Sequence, residues 1–284
     1  MAKNKGYYKE AGLDVDIIEP GDNATTSMVA AGKADFGVSY QEDATYALTS
    51  EDPLPIKTIA TIIQHNTSGF VSLKSANINS VKDFEGKTYA GWGAPSEEAV
   101  IKAVMNEAGA DFSKLNIVGS DGSGIAGLSD EVGKNKVNLG WEFYGWAIIK
   151  ALQDGYDLNY MPLADLDSRL DYYTPVIITN NKMIKKNSDT IQKFMEATKK
   201  GYEYAIDHPS KAAEILHDDA LTDTDLKFLK ESQKYLSSQY AKDADTWGVM
   251  KDSVWDNYTD FMYETGLIDH KIDAKDQYTN EFVK

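Results

Sequence analysis

Short apolar runs alternate with helical patterns along the first two-thirds of the chain. The β-branched run from Ile56 to Ile63 is typical of a strand, and Pro95 followed by two glutamates is typical of the first turn of a helix. Alternation of this kind indicates an α/β fold with mostly parallel sheets. The other predicted strands are Leu13–Ile18, Ala34–Val38, Lys87–Gly91, Leu115–Val118, Val137–Leu139, Leu158–Met161 and Thr174–Thr179.

Helical periodicity replaces this alternation after residue 179. Ser188 is placed to cap a long helix over Asp189–Asp207, and Thr222 with Asp225 resembles a capping box. This strand-poor tail needs a surface to pack on, and we expect Trp247 and Trp255 to anchor it to the first α/β unit. The other predicted helices are a short one capped by Asp22 or Asn23 and ending at Gly32, Tyr40–Leu48, Pro95–Ala108, Tyr144–Gln153, one beginning at His208–Pro209, Thr222–Ser238 and Lys251–Thr265.

The order of elements divides the chain into two α/β units and the helical tail. Because the tail packs most simply on the first unit, we predict one discontinuous lobe from residues 1–73 and 178–284 and a second lobe from residues 74–177. The chain would cross between them at hinges near residues 70–76 and 172–180. A ligand of such a protein is expected in a cleft between the lobes, at the carboxyl ends of the strands.

Charge and composition narrow the range of functions. The 284 residues carry a net charge of −16 with a pI near 4.6, which argues against binding nucleic acid or anionic membranes. Arg169 is the sole arginine, so a ligand that needs a guanidinium clamp on an anionic group is disfavoured. The chain has no cysteine, which excludes disulfides, thiolate catalysis and cysteine-ligated metals within it.

Targeting and catalytic signals are not evident in the sequence. No apolar stretch is long enough to span a membrane. The polar opening from Met1 to Tyr8 does not read as a signal peptide, so the protein is either cytoplasmic or its leader is missing from this chain. None of the four histidines has metal-ligand spacing, and no Ser–His–Asp or G-x-S-x-G pattern occurs. We therefore expect no catalytic residue, metal or cofactor.

Polar and aromatic residues collect at the ends of the predicted strands. In a two-lobed α/β protein these positions converge on one cleft, where flat rings sandwich a flat ligand and amides or carboxylates bind its edge. The alternative is that the rings are core residues, but glycines and acids interleaved with Trp92 and with Trp141–Trp146 favour the cleft. Strand alternation sends Trp141 and Glu142 to opposite sides, and the sequence leaves open which one faces the ligand. The predicted ligand-binding residues are Gln41, Glu42, Asn66, Thr67, Ser68, Trp92, Trp141, Glu142, Tyr144, Trp146 and Tyr173.

Several of these segments resemble a known family. Lys5–Val15 and Ala31–Val38 are similar to the opening of ABC-importer solute-binding proteins of the sulfonate, nitrate and thiamine-precursor superfamily. The run Gly-Trp-Gly-Ala-Pro-Ser-Glu-Glu at Gly91–Glu98 looks like the binders of thiamine pyrimidine precursors, hydroxymethylpyrimidine and formylaminopyrimidine. The further segments similar to that group are Gln64–Gly69, Phe143–Trp146, Trp247–Gly248, Trp255 and Met262–Ile268.

The resemblance implies a fold and a function. It implies the two-lobed periplasmic-binding-protein type II fold and a non-enzymatic protein that captures an aminopyrimidine and docks on the transmembrane subunits of an ABC permease. Such proteins work on the extracellular or periplasmic face of the cytoplasmic membrane, tethered by a lipidated cysteine in the full-length form. The alternatives are another ligand on the same fold, such as a riboflavin precursor, a nitrile or a sulfonate, or a pyrimidine-synthase-like enzyme, whose cysteine-rich segment this chain lacks.

Two features depart from the family pattern. Members usually begin with a strand and an Asn/His-rich loop before the helix that starts this chain, and both are absent from this sequence. Because unpaired neighbouring strands are costly, we expect lower stability and ligand affinity than in a form that carries that strand. The second departure is Glu142, at a position where the resemblance predicts an uncharged residue.

Overall fold

The structure, a computed structural model, describes residues 1–21, 24–133 and 136–283, so the expected helix caps Asp22 and Asn23 lie outside it. The strands of the described residues are β1 Phe36–Ser39, β2 Ile56–Thr61, β3 Ser68–Leu73, β4 Thr88–Gly91, β5 Asn116–Gly119, β6 Leu139–Phe143, β7 Leu158–Pro162 and β8 Val176–Asn180. The helices are α1 Tyr7–Glu10, α2 Thr25–Ala30, α3 Gln41–Thr49, α4 Pro95–Glu107, α5 Ile149–Gln153, α6 Leu163–Leu166, α7 Asn181–Lys186, α8 Ser188–Asp207, α9 Pro209–Ala220, α10 Leu226–Ser237, α11 Asp252–Glu264 and α12 Ala274–Gln277. None of these helices is long and apolar enough to cross a membrane.

The chain divides into two compact units. Unit 1 comprises Met1–Asn66, Tyr172–Tyr263 and Ile268–Lys284, and unit 2 comprises Thr67–Asp171 with Glu264–Leu267. Each unit contains one of the sheets formed by the described residues. The long helical tail from α8 to α11 therefore belongs almost entirely to unit 1.

Strand pairing places the chain crossings earlier than the predicted boundaries. A boundary after residue 73 would put β3 in the first lobe, but β3 pairs with β6 and β7 in unit 2. A boundary after residue 177 would split β8, which pairs with β1 and β2 in unit 1. Hydrogen-bonded strands belong to one sheet, and the chain passes between the units after residues 66 and 171, with a short return to unit 2 at Glu264–Leu267.

The sheet of unit 1 has the order β1–β8–β2, and both pairs of strands that the structure describes are antiparallel. The prediction of mostly parallel sheets is wrong here, because β8 returns from unit 2 and inserts between β1 and β2 in the opposite direction. Ser39 and Thr61 both pair with Val176, so the ends of β1 and β2 share what we call the unit 1 edge. The outer side of β2 is covered near Thr58, whose carbonyl accepts from the amide of Thr279 at 2.9 Å.

The sheet of unit 2 has the order β5–β4–β6–β3–β7 within the described chain. β4 runs parallel to β5 and β6, whereas β3 is antiparallel to β6 and β7. Ser68 pairs with Phe143 and Gly69 with Pro162, so the start of β3 lies beside the carboxyl ends of β6 and β7. These ends, with those of β4 and β5, form what we call the unit 2 edge.

Several predicted elements differ from the observed ones. Leu13–Ile18 is not a strand, and Ile17 and Ile18 are 76% and 58% exposed, because the segment pairs with no strand in the described chain. β3 was not predicted, and the predicted strand Val137–Leu139 instead begins at Leu139 and continues to Phe143, which takes in Trp141 and Glu142. Among the caps, Asn187 precedes α8 in place of Ser188, and Asp225 itself caps α10 by accepting from the amide of Lys227.

The cores of the two units are distinct clusters. In unit 1, Trp247 packs with Ile59 and Ile177, and Trp255 packs with Tyr173 in a second cluster, which confirms both tryptophans as anchors of the tail. In unit 2, the ring of Phe70 packs edge-on against Phe84 and Tyr89. All of these side chains are buried, so they fix the sheets whose edges carry the candidate site.

Candidate functional site

The unit 2 edge brings together most of the predicted ligand-binding residues. β4 ends just before Trp92, and β6 ends just before the π-helical turn over Tyr144–Ile148. Because β4 and β6 are parallel, their carboxyl ends meet at the same edge of the sheet. The predicted residues at this edge are Thr67, Ser68, Trp92, Trp141, Glu142, Tyr144 and Trp146.

Trp92 and Trp141 form an aromatic pair at this edge. Their ring centroids lie 5.2 Å apart at an interplanar angle of 59°. Trp141 is half-buried, and its ring lies 5.8 Å from that of Phe70 in the core, whereas Trp92 is 60% exposed. Trp141 is thus packed against the core, and Trp92 beside it exposes ring surface on which a flat ligand can stack.

Glu142 follows Trp141 in β6 and therefore lies on the other face of the sheet. Its carboxylate is half-buried, and one oxygen lies 3.7 Å from the position that a Cβ on Gly124 would take. Within the described chain this carboxylate has neither a hydrogen bond nor an ion pair, and burial raises its pKa. Such a group gains by accepting a hydrogen bond from a ligand that carries donors.

Thr67, Tyr144 and Tyr160 form a fixed frame beside the aromatic pair. The carbonyl of Thr67 accepts from the hydroxyl of Tyr160 at 2.7 Å and from the amide of Tyr144 at 2.9 Å. The rings of Tyr144 and Tyr160 meet edge-on at 5.3 Å. Ser68 is fully buried, whereas Trp146 is 48% exposed. Sequence reasoning missed Tyr160, although it stands at the end of a predicted strand.

The other predicted residues lie in unit 1, and two of them are framework. Gln41 is fully buried: its Oε1 accepts from the amide of Tyr173 at 2.8 Å and its Nε2 donates to the carbonyl of Val254 at 3.3 Å. Tyr173 is also buried, and its hydroxyl accepts from the amide of Lys251 at 3.0 Å. Both side chains thus hold the segment before β8 against α3, α11 and the residue that precedes α11.

Glu42 and Asn66 belong to a tyrosine cluster at the unit 1 edge. Glu42 accepts from the hydroxyl of Tyr258 at 3.3 Å, and Tyr258 stacks on Tyr172 with centroids 4.0 Å apart. Burial first, and then the charge of Glu42, raise the pKa of Tyr172, which also hydrogen-bonds Asn66. Sequence reasoning missed Tyr258 because it lies far along the chain on α11, although it predicted Glu42 and Asn66 as site residues.

A surface depression of about 430 Å³ opens in unit 1 between α2 and α3. Burial first, and then the charges of Glu42 and Asp43, raise the pKa of Tyr46 on its wall. Sequence reasoning stopped at Glu42 and missed this wall, one helical turn further along α3. The lining residues are Ala24, Thr25, Thr26, Asp43, Tyr46, Ala47, Ser50 and Leu54.

The sole arginine of the chain is held by carboxylates of its own unit. Arg169 donates to Asp167, at 2.6 Å from Nη2 and 3.0 Å from Nε, and to Glu264 at 2.7 Å from Nη1. These bonds occupy the fork that would otherwise bind an anionic ligand in two places.

This architecture is that of the periplasmic binding proteins. The structure superposes on a putative periplasmic sulfonate-binding protein of an ABC transporter from Methylobacillus flagellatus KT with a TM-score of 0.69 at 15% identity, covering 97% of this chain and 82% of that one. The predicted fold class is therefore confirmed.

The chain belongs to the NMT1/THI5-like family, whose model matches residues 1–212. It is 27% identical over 222 residues to the formylaminopyrimidine-binding protein of Halalkalibacterium halodurans, covering 76% of this chain and 64% of that protein. It is also 21% identical over 295 residues to a 4-amino-5-hydroxymethyl-2-methylpyrimidine phosphate synthase of Legionella pneumophila, covering 100% of this chain and 86% of the synthase. The match thus spans less than two-thirds of the first relative, which bears out the predicted resemblance, whereas the second relative belongs to the predicted enzyme alternative.

Proposed function

We propose that this chain is the solute-binding component of an ABC importer and captures an aminopyrimidine precursor of thiamine. The observation that carries the proposal is the open ring of Trp92 set against Trp141 at the unit 2 edge. The relative named as a formylaminopyrimidine-binding protein supports the ligand class. The protein would work outside the cytoplasmic membrane, with a lipid anchor in its full-length form, and deliver its ligand to permease transmembrane subunits.

The chemistry of the ligand matches this edge. A 4-aminopyrimidine is flat and is neutral or weakly cationic, so stacking on Trp92 buries its ring at small electrostatic cost. Glu142 lies on the other face of β6 from Trp141 and has no partner for its carboxylate in the described chain, so it would accept from the exocyclic amine of a ring that projects past the end of that strand. Glu142, which departs from the family pattern, thereby gains a role in binding.

The state of Arg169 argues against a sulfonate. A sulfonate carries a full negative charge and is best bound by a guanidinium fork, but the only fork in the chain is engaged with Asp167 and Glu264. Helix N-termini and lysines are the weaker alternatives, and the net charge of −16 opposes an anion further. A riboflavin precursor and a nitrile are less constrained by charge, so they belong in the test.

A thermal-shift panel tests the proposal. The compounds are hydroxymethyl-aminopyrimidine, its formylaminomethyl analogue, thiamine, a riboflavin precursor and taurine. A ligand that binds only the native state raises the unfolding midpoint by mass action. We expect a rise with the aminopyrimidines alone, lost in Trp92→Ala and kept in Tyr263→Ala, which removes a 45% exposed ring in unit 1. A rise with taurine alone, or an undiminished rise in Trp92→Ala, would overturn the proposal.

The synthase relative supplies a second candidate because its match covers the whole chain. A binding protein releases its ligand unchanged, whereas a synthase of the kind named for this relative forms a pyrimidine phosphate. Mass spectrometry of the ligand that copurifies with the chain separates the two. We expect an unphosphorylated pyrimidine, and a bound pyrimidine phosphate would favour the enzyme.

A further inference from the structure

Glu97 is a buried carboxylate directly behind the loop that carries Trp92. It lies in the first turn of α4 and is 3% exposed. One oxygen accepts from the hydroxyl of Tyr89, with a very short contact, and from the amide of Trp92 at 3.3 Å. The other oxygen accepts from the amide of Gly93 at 2.8 Å. The carboxylate thus binds the end of β4 and the loop that follows it.

The backbone leaves room for this carboxylate at Gly91. A Cβ at that position would overlap the carboxylate of Glu97, so only glycine permits the approach. Gly93 has φ +81°, a left-handed conformation that turns its amide toward Glu97 without side-chain strain. The Gly-Trp-Gly run therefore has a geometric reason: its two glycines let the chain fold around one carboxylate, with Trp92 between them.

Glu97 has no cationic partner within the described residues, and its carboxylate is bound by hydrogen bonds from Tyr89, Trp92 and Gly93. Burying a carboxylate is costly, and an apolar side chain of similar volume would fill the same space more cheaply. Packing alone therefore does not account for an acid here. What the acid adds is a fixed position for the two amides that flank the ring of Trp92.

We infer that Glu97 is a positioning residue that holds the ring of Trp92 in place for stacking on a flat heteroaromatic ligand. The stacking on a ligand rests on the proposed function. The positioning of Trp92 by Glu97, which we call the structural half of the inference, does not. Glu97 touches no ligand: it acts through the backbone of residues 91–93. A preordered ring loses less freedom on binding, and affinity rises accordingly.

Glu97→Gln tests the structural half without any ligand. Glutamine keeps the volume but offers one oxygen, so its amide nitrogen faces the backbone N–H of either Trp92 or Gly93. We expect the amide that loses its acceptor, that of Trp92 or of Gly93, to exchange with deuterium about tenfold faster, since one lost hydrogen bond corresponds to roughly that factor. Glu98→Gln is the matched control, because Glu98 is the exposed neighbour in the same helical turn. Unchanged exchange in Glu97→Gln would overturn the inference.

A double-mutant cycle tests the functional half. If Glu97 acts through Trp92, Glu97→Gln weakens binding of hydroxymethyl-aminopyrimidine about tenfold in the native background and not at all in Trp92→Ala. Equal losses in both backgrounds would show a general structural role and overturn the inference. Gly91→Ala, which displaces the same carboxylate, repeats the test if Glu97→Gln does not fold. If no pyrimidine binds the native protein, the proposed function fails, and the exchange experiment still decides on Glu97.

Discussion

The two edges place the same kind of residue in opposite settings. At the unit 1 edge, Gln41 and Tyr173 are buried and bonded to each other. At the unit 2 edge, Trp92 and Trp146 are 60% and 48% exposed. All four follow or precede a strand in the sequence.

The difference teaches that a polar or aromatic residue at a strand end has two uses. Tyr173 lies where the chain re-enters unit 1, and there the backbone has left one sheet and not yet joined the other. Its buried amide has no acceptor in a neighbouring strand, and the side-chain oxygen of Gln41 accepts its hydrogen bond instead. Trp92 follows β4 in a loop whose backbone amides are bound by Glu97. Because Glu97 satisfies this backbone, the ring of Trp92 is not needed for it and faces solvent.

The largest expected effect is on stability, in Gln41→Leu. The change leaves the buried amide of Tyr173 without its partner, whereas the carbonyl of Val254 keeps its bond within α11. One such orphaned group costs about 1–3 kcal/mol of the free energy of unfolding, which urea denaturation measures. Gln192→Leu on α8, where the side chain bonds only the exposed Glu196, should change it by less than about 0.5 kcal/mol. Equal losses of stability in Gln41→Leu and Gln192→Leu would contradict the framework role of Gln41 at the unit 1 edge.

A smaller effect is expected from Trp146→Ala, and it falls on affinity. About half of the ring is already in water, so the free energy of unfolding should drop by less than about 1 kcal/mol. Loss of one stacking surface should weaken aminopyrimidine binding about tenfold, measured by calorimetry. A stability loss as large as that of Gln41→Leu, with affinity unchanged, would show that Trp146 is a core residue and not a ligand-binding residue.

The smallest effect is the pH dependence of Glu142→Gln. Burial raises the pKa of Glu142, so the native state resists its ionisation, and the native protein loses stability as pH rises from the ordinary carboxyl range through the raised pKa. The variant should melt above the native protein at pH 8 and level with it at pH 3, where the carboxyl is protonated in both states. A difference independent of pH would mean that Glu142 does not carry the raised pKa.

The sequence predicts the elements whose signals are local. The β-branched composition of Ile56–Thr61 predicts a strand, and Pro95 with the following glutamates predicts the start of α4. The structure has both elements. Leu13–Ile18 has an equally good strand pattern, but a strand also needs a neighbour, which no local pattern reports. β3 failed in the opposite way, because Ser68 and Gly69 look like a loop and only pairing with β6 and β7 makes them a strand.

In the candidate site too, residues with a local sequence signal were predicted and residues that depend on distant partners were not. Strand ends at Trp92 and Trp146 are local signals, and the structure brings both to one edge. Tyr258 and Glu97 were missed as site residues, because their roles depend on side chains that approach them in three dimensions. The buried state of Gln41 could not be predicted either, since its partners lie 132 and 213 residues away in the sequence.

The cover on the outer side of β2 has a practical consequence. Thr279 bonds Thr58 there, and Tyr278 bridges the same residue, so the chain's own late segment occupies an edge that would otherwise template pairing between molecules. Proteolytic loss of this segment, or a bulky tag fused against it, would uncover that edge and favour aggregation. The shelf life of the purified protein thus depends on Tyr278 and Thr279, two residues of this late segment.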